Sequence, residues 1–298
     1  MTEELLFQLE QQGYKGQIVS IQHLHDLQEG IEARRREGTL DEQLYQAYLT
    51  FCDFKPPENL SGARSIIVVA VAQPQVVFTW KGESLPVIIP PTYLQYPNQQ
   101  VQELLVGILG PKGYKITPAA LPVKLLAVRS GLGAYGKNNL CYVPGLGSFH
   151  RLMAFYSEFP CQQDLWQEPQ MMESCQNCAA CLRSCPTGAI RSERFLLYAE
   201  RCLTFHNERK GDFPIWLDPA WHHCLVGCLY CQQVCPQNKN FLPWIEKREE
   251  FSEEETRLLL EGTPRHQLPA DIVRKLEQLD LMEYFEVLPR NLGVLLEV

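Results

Sequence analysis

Nine of the twelve cysteines in this 298-residue chain fall between residues 175 and 235, and their spacing restricts the fold more than any other feature. The first run reads Cys-x-x-Cys-x-x-Cys-x-x-x-Cys-Pro and comprises Cys175, Cys178, Cys181 and Cys185. This is the spacing of bacterial two-cluster ferredoxins, in which three thiolates bind one [4Fe–4S] cluster and the fourth binds the other. The block therefore predicts a bacterial-ferredoxin-like module that folds around metal.

The second run, Cys228-x-x-Cys231-x-x-x-Cys235-Pro, lacks a cysteine three residues before Cys228. Either Cys202 or Cys224 can supply the missing ligand. In the crossed pattern of the motif, the predicted ligands of cluster one are Cys175, Cys178, Cys181 and Cys235. Those of cluster two are Cys185, Cys228, Cys231 and either Cys202 or Cys224.

Zinc is the alternative metal, because Cys-x-x-Cys pairs also build tetrahedral zinc sites. Two Cys-Pro endings and a set of eight ligands favour two [4Fe–4S] clusters over zinc. The three cysteines outside the block, Cys52, Cys141 and Cys161, are predicted to be buried, inert thiols.

Composition predicts a soluble globular protein, with 45% hydrophobic and 21% charged residues. No apolar run approaches the roughly 18 residues that a membrane span needs, so no membrane contact is expected. The polar N-terminus lacks the pattern of a signal peptide, which predicts a cytoplasmic location where thiols stay reduced. A net charge of -8 without a basic patch disfavours nucleic acid as a partner but does not exclude it.

Three regions follow from these patterns: an α+β cofactor and substrate domain over residues 1–165, the two-cluster module over 166–245, and a helical C-terminal segment over 246–298. Residues 1–60 are predicted to be mostly helical, Ser65–Ala72 a buried strand, and 80–98 an ordered loop rich in Pro and Tyr. The other predicted elements are helices over residues 101–109, 122–130, 246–262 and 270–279, and a strand over 149–159.

A glycine-rich segment precedes the cysteine block, with Gly131, Gly133, Gly136, Gly145 and Gly147 within 17 residues. Glycines let a backbone approach a ligand closely, although ordinary turns need them too. The first three match G-x-G-x-x-G but follow a helix-like segment rather than a strand. The segment therefore does not predict a dinucleotide site.

Four stretches together resemble the epoxyqueuosine reductase family, cobalamin-dependent iron–sulfur enzymes of queuosine biosynthesis that are related to reductive dehalogenases. In the family's order they are Arg129–Asn138 (RSGLGAYGKN), Cys175–Ile190 with its CPTGAI ending, Arg201–Thr204, and Cys228–Lys239. The cysteine framework is the more specific part of the likeness.

The resemblance implies a nitroreductase-like α+β cobalamin-binding domain fused to the two-cluster ferredoxin-like module. It favours Cys202 over Cys224 as the eighth ligand. It also implies a base-off cobalamin between the two parts, reduced one electron at a time through the clusters by an external donor such as ferredoxin or flavodoxin. The residues implied to bind the cofactor are Gly131, Gly133, Tyr135, Gly136, Lys137, Asn138 and Ser148.

The chain departs from the family at the proton donor. The family has an acidic residue just before the glycine loop, whereas the equivalent stretch here, Thr117–Lys124, contains no carboxylate. The catalytic residue is therefore unknown; the candidates are Tyr93, Tyr96, Lys124 and Tyr135, with packing or surface roles as the alternative for each. The helical-repeat tail that many family members carry is also missing.

The predicted function is that of an oxidoreductase: a cobalamin-dependent iron–sulfur reductase of a small organic substrate. One alternative is an electron-transfer or corrinoid-activating iron–sulfur protein without a substrate of its own. Another is a flavin-dependent reductase, because nitroreductase-like folds commonly hold flavin. The sequence does not specify the substrate, the electron donor or the oligomeric state.

Overall fold

The structure, a computed structural model, describes residues 2–80 and 83–297. Its helices are α1 (Thr2–Gln11), α2 (Leu24–Arg36), α3 (Glu42–Tyr48), α4 (Tyr96–Leu109), α5 (Val123–Arg129), α6 (Ala180–Ser184), α7 (Leu203–Asn207), α8 (Tyr230–Gln233), α9 (Glu253–Leu260), α10 (Ala270–Gln278) and α11 (Leu288–Glu297). Its strands are β1 (Tyr14–Ser20), β2 (Ser65–Ala72), β3 (Gln75–Trp80), β4 (Glu83–Ile89), β5 (Ile116–Pro118), β6 (Ala134–Tyr135), β7 (Cys141–Tyr142), β8 (His150–Ser157) and β9 (Ile245–Phe251).

The chain divides into two compact units, neither of which is one continuous stretch. The first comprises Met1–Ala72, Gln95–Ala179 and Ser192–Leu197, and the second comprises Gln73–Leu94, Ala180–Arg191 and Tyr198–Val298. The chain therefore passes between the units several times, once inside the first cysteine run. The domain boundaries expected after residues 165 and 245 stay a prediction.

The first unit is built on an antiparallel sheet with the strand order β1-β2-β8-β5. Strand β2 confirms the predicted buried strand, and its side chains alternate between two cores. Ile66 and Val68 pack into the core that contains residues of α2 and α5, while Ile67 and Val69 pack into the core that contains residues of α1 and α4. Because both faces are covered, the strand is apolar throughout rather than alternating.

The second unit has a three-stranded sheet with the order β4-β3-β9, in which β3 pairs antiparallel with β4 and parallel with β9. Its core combines side chains of this sheet with those of α9, α10 and α11. The rings of Phe78 and Phe251 meet edge to face, with centroids 5.7 Å apart. This core places α11 beside the segments that carry the second cysteine run, as described below.

The helix predicted over residues 246–262 is wrong in its first half, where Ile245–Phe251 forms β9 instead. The segment reads EKREE, which favours a helix by intrinsic propensity, but pairing with β3 overrides that preference. The helix begins after Ser252, whose side chain accepts from the backbone N–H of Glu255 while Glu255 bonds back to the Ser252 N–H. The capping box follows the sequence pattern Ser-x-x-Glu at residues 252–255 and marks the start of α9.

Two further expectations need correction. The predicted loop over residues 80–98 contains strand β4, and helix α4 already begins at Tyr96; residues 81 and 82 of that segment lie outside the described residues. Within residues 1–60, strand β1 interrupts the helices, because Tyr14–Ser20 pairs along its whole length with β2. Strand β1 was missed because its partner is distant in sequence, and β4 was missed because its segment has the composition of a loop.

None of the helices formed by the described residues combines the length and the apolar character needed to cross a membrane.

Candidate metal centre and glycine loop

The second unit contains the cysteines of the predicted second cluster. Helix α6 spans the gap between Cys181 and Cys185, whose backbone N–H donates to the Cys181 carbonyl at 3.1 Å. A short helical turn therefore joins Cys181 to Cys185. After Pro186, Gly188 takes a positive φ of 64° and turns the chain out of this segment.

Three of the predicted ligands of cluster two lie close to one another. Burial raises the pKa of the Cys228 thiol well above its ordinary value, and the charges of Cys202, Cys224 and Cys185 raise it further. Thiols that oppose one another's ionisation form a suitable ligand set for iron, because a bound metal ion stabilises the thiolates and removes their repulsion. In the described part of the chain, no three His, Cys, Asp or Glu side chains form a site for a single metal ion.

Cys202 and Cys224 are both near Cys228, so the choice between them stays open on geometry. Cys202 immediately precedes helix α7, and its charge affects Cys228 more than that of Cys224 does. Cys224 is buried, and its backbone forms an isolated bridge with Ile88 of β4.

Two asparagines join the segments that carry Cys202 and Cys228. Asn207, at the end of α7, donates from Nδ2 to the carbonyl oxygen of Gly227 at 2.8 Å. Asn291 on α11 donates from Nδ2 to the carbonyls of Asn207 and Leu225, both at 2.7 Å. Both side chains are buried. We call Asn207 and Asn291 the asparagine latch; it fixes the spacing between α7 and the chain just before Cys228.

His223 holds the turn at Cys228 rather than forming a separate metal site. Its Nε2 accepts the backbone N–H of Leu229 at 3.1 Å, which requires that this nitrogen carry no proton. Its ring lies 4.1 Å from that of Tyr230. Burial lowers the pKa of His223 below its ordinary value, consistent with a neutral acceptor.

The first unit carries Cys175 and Cys178, whose loop is fastened by Lys137. The Cys178 N–H donates to the Cys175 carbonyl at 3.3 Å. The Lys137 ammonium donates to the carbonyls of Gln176 at 3.1 Å and Cys178 at 2.8 Å. Lys137 thus places a positive charge beside two cysteines that are predicted to bind iron as thiolates, as well as fixing their backbone. The assignment of Cys175, Cys178, Cys181 and Cys235 to one cluster stays a prediction.

The glycine-rich segment folds into the β6–β7 hairpin, which lies against the chain that leads to Cys175. The Tyr135 N–H donates to the Gln170 carbonyl at 2.8 Å, and the Met172 N–H donates to the Tyr135 carbonyl at 2.9 Å. The segment therefore positions the first cysteine loop through main-chain bonds at Tyr135 and side-chain bonds at Lys137.

Close internal packing accounts for two of the glycines. A Cβ on Gly133 would lie 2.6 Å from the Tyr142 carbonyl oxygen, and one on Gly136 would lie 2.6 Å from the Tyr142 ring. Any larger residue would force the hairpin apart. These glycines are thus required by the hairpin itself, and their role in binding a cofactor stays a prediction.

The other residues implied to bind a cofactor are mostly buried. Tyr135 lies in the core, with its ring 5.1 Å from that of Phe195. Asn138 is buried and donates to the Tyr142 hydroxyl at 3.0 Å. Ser148 is buried just before β8, while Gly131 is exposed with a φ of 77°. The contacts of Tyr135 and Asn138 stabilise the packing of the first unit, and their role in binding a cofactor stays a prediction.

The candidate proton donors occupy unlike environments. Tyr93, in the second unit, is buried against Gly227 and donates to the Glu208 carboxylate. Burial, followed by the charge of Glu208, raises the pKa of Tyr93 well above its ordinary value. Tyr96 and Lys124 lie exposed in the first unit, on α4 and α5. No catalytic role for these residues is tested, and packing accounts for the contacts of Tyr93.

Sequence reasoning missed the asparagine latch. Asn207 and Asn291 are 84 residues apart, and an isolated asparagine carries no local sign of a buried role. The lysine of the glycine loop was singled out, but its bonds to the first cysteine loop emerge only from the fold.

Known proteins resemble this chain in its cysteine module and in its fold. A family profile described as "4Fe-4S double cluster binding domain" matches residues 174–238. The epoxyqueuosine reductase of Pseudomonas aeruginosa is 36% identical over 145 residues, which is 47% of this chain and 39% of that protein. The structure of epoxyqueuosine reductase from Bacillus subtilis is 22% identical, with a TM-score of 0.69 over 99% of this chain and 80% of that one.

A further solved epoxyqueuosine reductase, 21% identical with a TM-score of 0.68, is described in complex with an epoxyqueuosine-modified tRNA-Tyr stem loop. It is matched over 99% of this chain and 80% of its own. The resemblance read from the sequence is thus confirmed, and so is the α+β fold with a two-cluster module. The matches span about two fifths of the length of the first curated relatives.

Replacing Lys137 with Met will loosen the first cysteine loop. The change keeps the aliphatic stem but removes a charged donor to two carbonyls, and hydrogen bonds to charged groups contribute about 1.5–3 kcal/mol each. We expect the amides of residues 175–178 to exchange roughly ten- to a hundredfold faster in hydrogen-exchange mass spectrometry. Lys112→Met, which removes a surface bond to Glu4, is the control and should leave this loop unchanged. Equal exchange in both variants would contradict the fastening role of Lys137.

Replacing Asn291 with Leu will break the asparagine latch. Two buried carbonyls lose their donor, and each unsatisfied group costs about 1–3 kcal/mol. Thermal denaturation should show a lower apparent Tm, and the amides of residues 224–229 should exchange faster. Gln278→Leu on α10 is the matched control, because Gln278 is exposed and bonds to Arg274 alone. An equal Tm and equal amide exchange in the two variants would mean that the asparagine latch does not stabilise this unit.

Proposed function

We propose that this chain is an iron–sulfur oxidoreductase of the epoxyqueuosine reductase type, with two [4Fe–4S] clusters and a cobalamin. The observation that carries the proposal is the proximity of the Cys185, Cys202 and Cys228 thiols. Three separate segments deliver them, inside the region that matches the double-cluster profile. This combination favours the iron–sulfur clusters over a zinc site.

The cysteines that would hold the clusters are Cys175, Cys178, Cys181 and Cys235 for cluster one and Cys185, Cys202, Cys228 and Cys231 for cluster two. When bound, the clusters supply one-electron transfer and the cobalamin supplies a reducing cobalt centre. The chain's own residues hold these groups in place. Lys137 fixes the carbonyls around Cys178, and the asparagine latch fixes the spacing between Cys202 and Cys228.

The cobalamin part of the proposal rests on the fold shared with epoxyqueuosine reductases and on the stretch Arg129–Asn138. The scaffold contacts of Tyr135, Lys137 and Asn138 do not conflict with it, since their backbone can border a cofactor while their side chains pack inward. A flavin in the same domain is the alternative occupant.

For the substrate, we favour a small organic molecule, which makes the chain a divergent paralogue of the tRNA-modifying enzymes. The stretch Thr117–Lys124 offers one ionisable side chain, the exposed Lys124, and no carboxylate. The net charge of -8 also opposes binding to a polyanion. A modified tRNA, as in the solved relative, is the competing substrate.

An electron-transfer or corrinoid-activating role is the second candidate function. The observation that favours it is the same lack of a carboxylate in Thr117–Lys124, because a reductase needs a proton donor near its substrate. The two functions differ in turnover: the reductase consumes a substrate, whereas the carrier reduces another protein's cofactor.

Anaerobic purification with cobalamin supplied tests the proposal directly. We expect about eight iron and about one cobalt per chain, with the electron paramagnetic resonance signal of base-off cob(II)alamin. Eight iron without cobalt would contradict the cobalamin reductase and leave a carrier or a flavin enzyme. Zinc in place of iron would contradict the whole proposal.

Single substitutions decide the eighth ligand. Cys202→Ala should lower the iron content from about eight to about four per chain, because cluster two loses a ligand. Cys224→Ala, the matched control, removes a neighbouring buried thiol and should retain about eight. The reverse result would make Cys224 the ligand and overturn the assignment of Cys202.

A further inference from the structure

Three arginines lie close to Cys185 or Cys202 along the chain, in segments of the second unit. Arg183 lies on α6 two residues before Cys185, and Arg201 directly precedes Cys202. Arg191 follows Cys185 by six residues. All three side chains are exposed. We call Arg183, Arg191 and Arg201 the arginine surface.

Backbone contacts bring the segments that carry these arginines side by side. The Tyr198 N–H donates to the Ala189 carbonyl at 2.8 Å, which joins the chain just before Arg191 to the chain just before Arg201. The thiols of Cys185 and Cys202 are close enough to interact electrostatically. Arg191 and Arg201 therefore extend from segments that the fold joins, and Arg183 lies on α6 within two residues of Cys185.

Carboxylates of the described residues do not neutralise the charges of the arginine surface. None of its members forms an ion pair with a described residue, in contrast to Arg36, Arg257 and most other exposed arginines. Of the nearby carboxylates, Glu208 accepts a hydrogen bond from Tyr93, and Glu200 is exposed. Residues 175–240 contain seven Lys and Arg against five Asp and Glu, so this module is positive in a chain of net charge -8.

Unpaired, exposed arginines beside a redox centre favour a partner with clustered carboxylates. Opposite charges on two surfaces accelerate their encounter and orient it, and the guanidinium fork matches a carboxylate in two hydrogen bonds. A reductase of the proposed function consumes electrons at every turnover, so an external carrier has to supply them. Three arginines make a poor match to a nucleic acid, which needs more phosphate contacts.

We propose that the arginine surface is the docking site for a small acidic protein that carries one electron, of the flavodoxin or ferredoxin kind. The inference rests on the proposed function, because it assumes a cluster at Cys185 and Cys202. In the transfer, the reduced carrier loses one electron and the oxidised chain gains it. No bond is formed or broken, and no proton needs to move.

The test compares charge-reversed variants of the holoprotein. The double variant Arg183→Glu/Arg201→Glu reverses two of the three charges of the arginine surface, and Arg265→Glu/Arg274→Glu changes the charge equally at exposed positions near and on α10. An acidic bacterial flavodoxin is the probe. Its Kd is measured by calorimetry at increasing NaCl concentrations, and its rate of electron delivery is measured by stopped flow.

We expect the arginine variant to bind flavodoxin at least about tenfold more weakly and to lose most of the salt dependence. The control should match the original chain. Iron content is measured for each protein, and Arg183→Gln/Arg201→Gln replaces the reversed variant if reversal prevents cluster assembly. Equal affinity and salt dependence in the arginine variant and the control would overturn the inference.

Transfer RNA is the competing probe in the same assay. Arginine-dependent binding of tRNA without binding of flavodoxin would assign the surface to RNA and overturn the inference. Failure of the iron–sulfur part of the proposed function gives a different result, since the original chain would then contain no iron while its affinity for flavodoxin could still be measured.

Discussion

The second unit depends on holding the thiols of Cys185, Cys202 and Cys228 close together, although they come from three segments. Burial, followed by the charges of the neighbouring thiols, raises the pKa of Cys228, and burial with the charge of Cys185 raises that of Cys202. Such a group is costly to ionise without a metal and favourable with one, because the metal supplies the positive charge that the site lacks. The rest of the unit has to keep these segments at a fixed separation, with or without the cluster.

The hydrogen bonds that keep this separation use neutral side chains. Asn207 and Asn291 bond to backbone carbonyls, and His223 accepts a backbone N–H, so none of them adds charge beside the thiols. The loop at Cys178 is held by a charged side chain instead, because the Lys137 ammonium donates to two of its carbonyls.

The glycine loop shows how one sequence feature can have two physical explanations. Its composition fits close approach to a cofactor, but Gly133 and Gly136 are already required by their contacts with Tyr142. Tyr135 and Lys137 bond to the chain that carries the first cysteines. The loop is therefore part of the metal scaffold as well as the proposed border of a cobalamin, and a substitution there will affect both.

The sequence by itself predicted the cysteine ligands and determined the buried strand Ser65–Ala72 and the family likeness, because each depends on local spacing or on a continuous apolar run. It did not reveal β1, β4 or β9, since Tyr14–Ser20, Glu83–Ile89 and Ile245–Phe251 become strands through partners elsewhere in the chain. Nor did it reveal the latch between Asn207 and Asn291. Tertiary structure decided these features because a strand pair or a buried hydrogen bond depends on residues that only folding brings together.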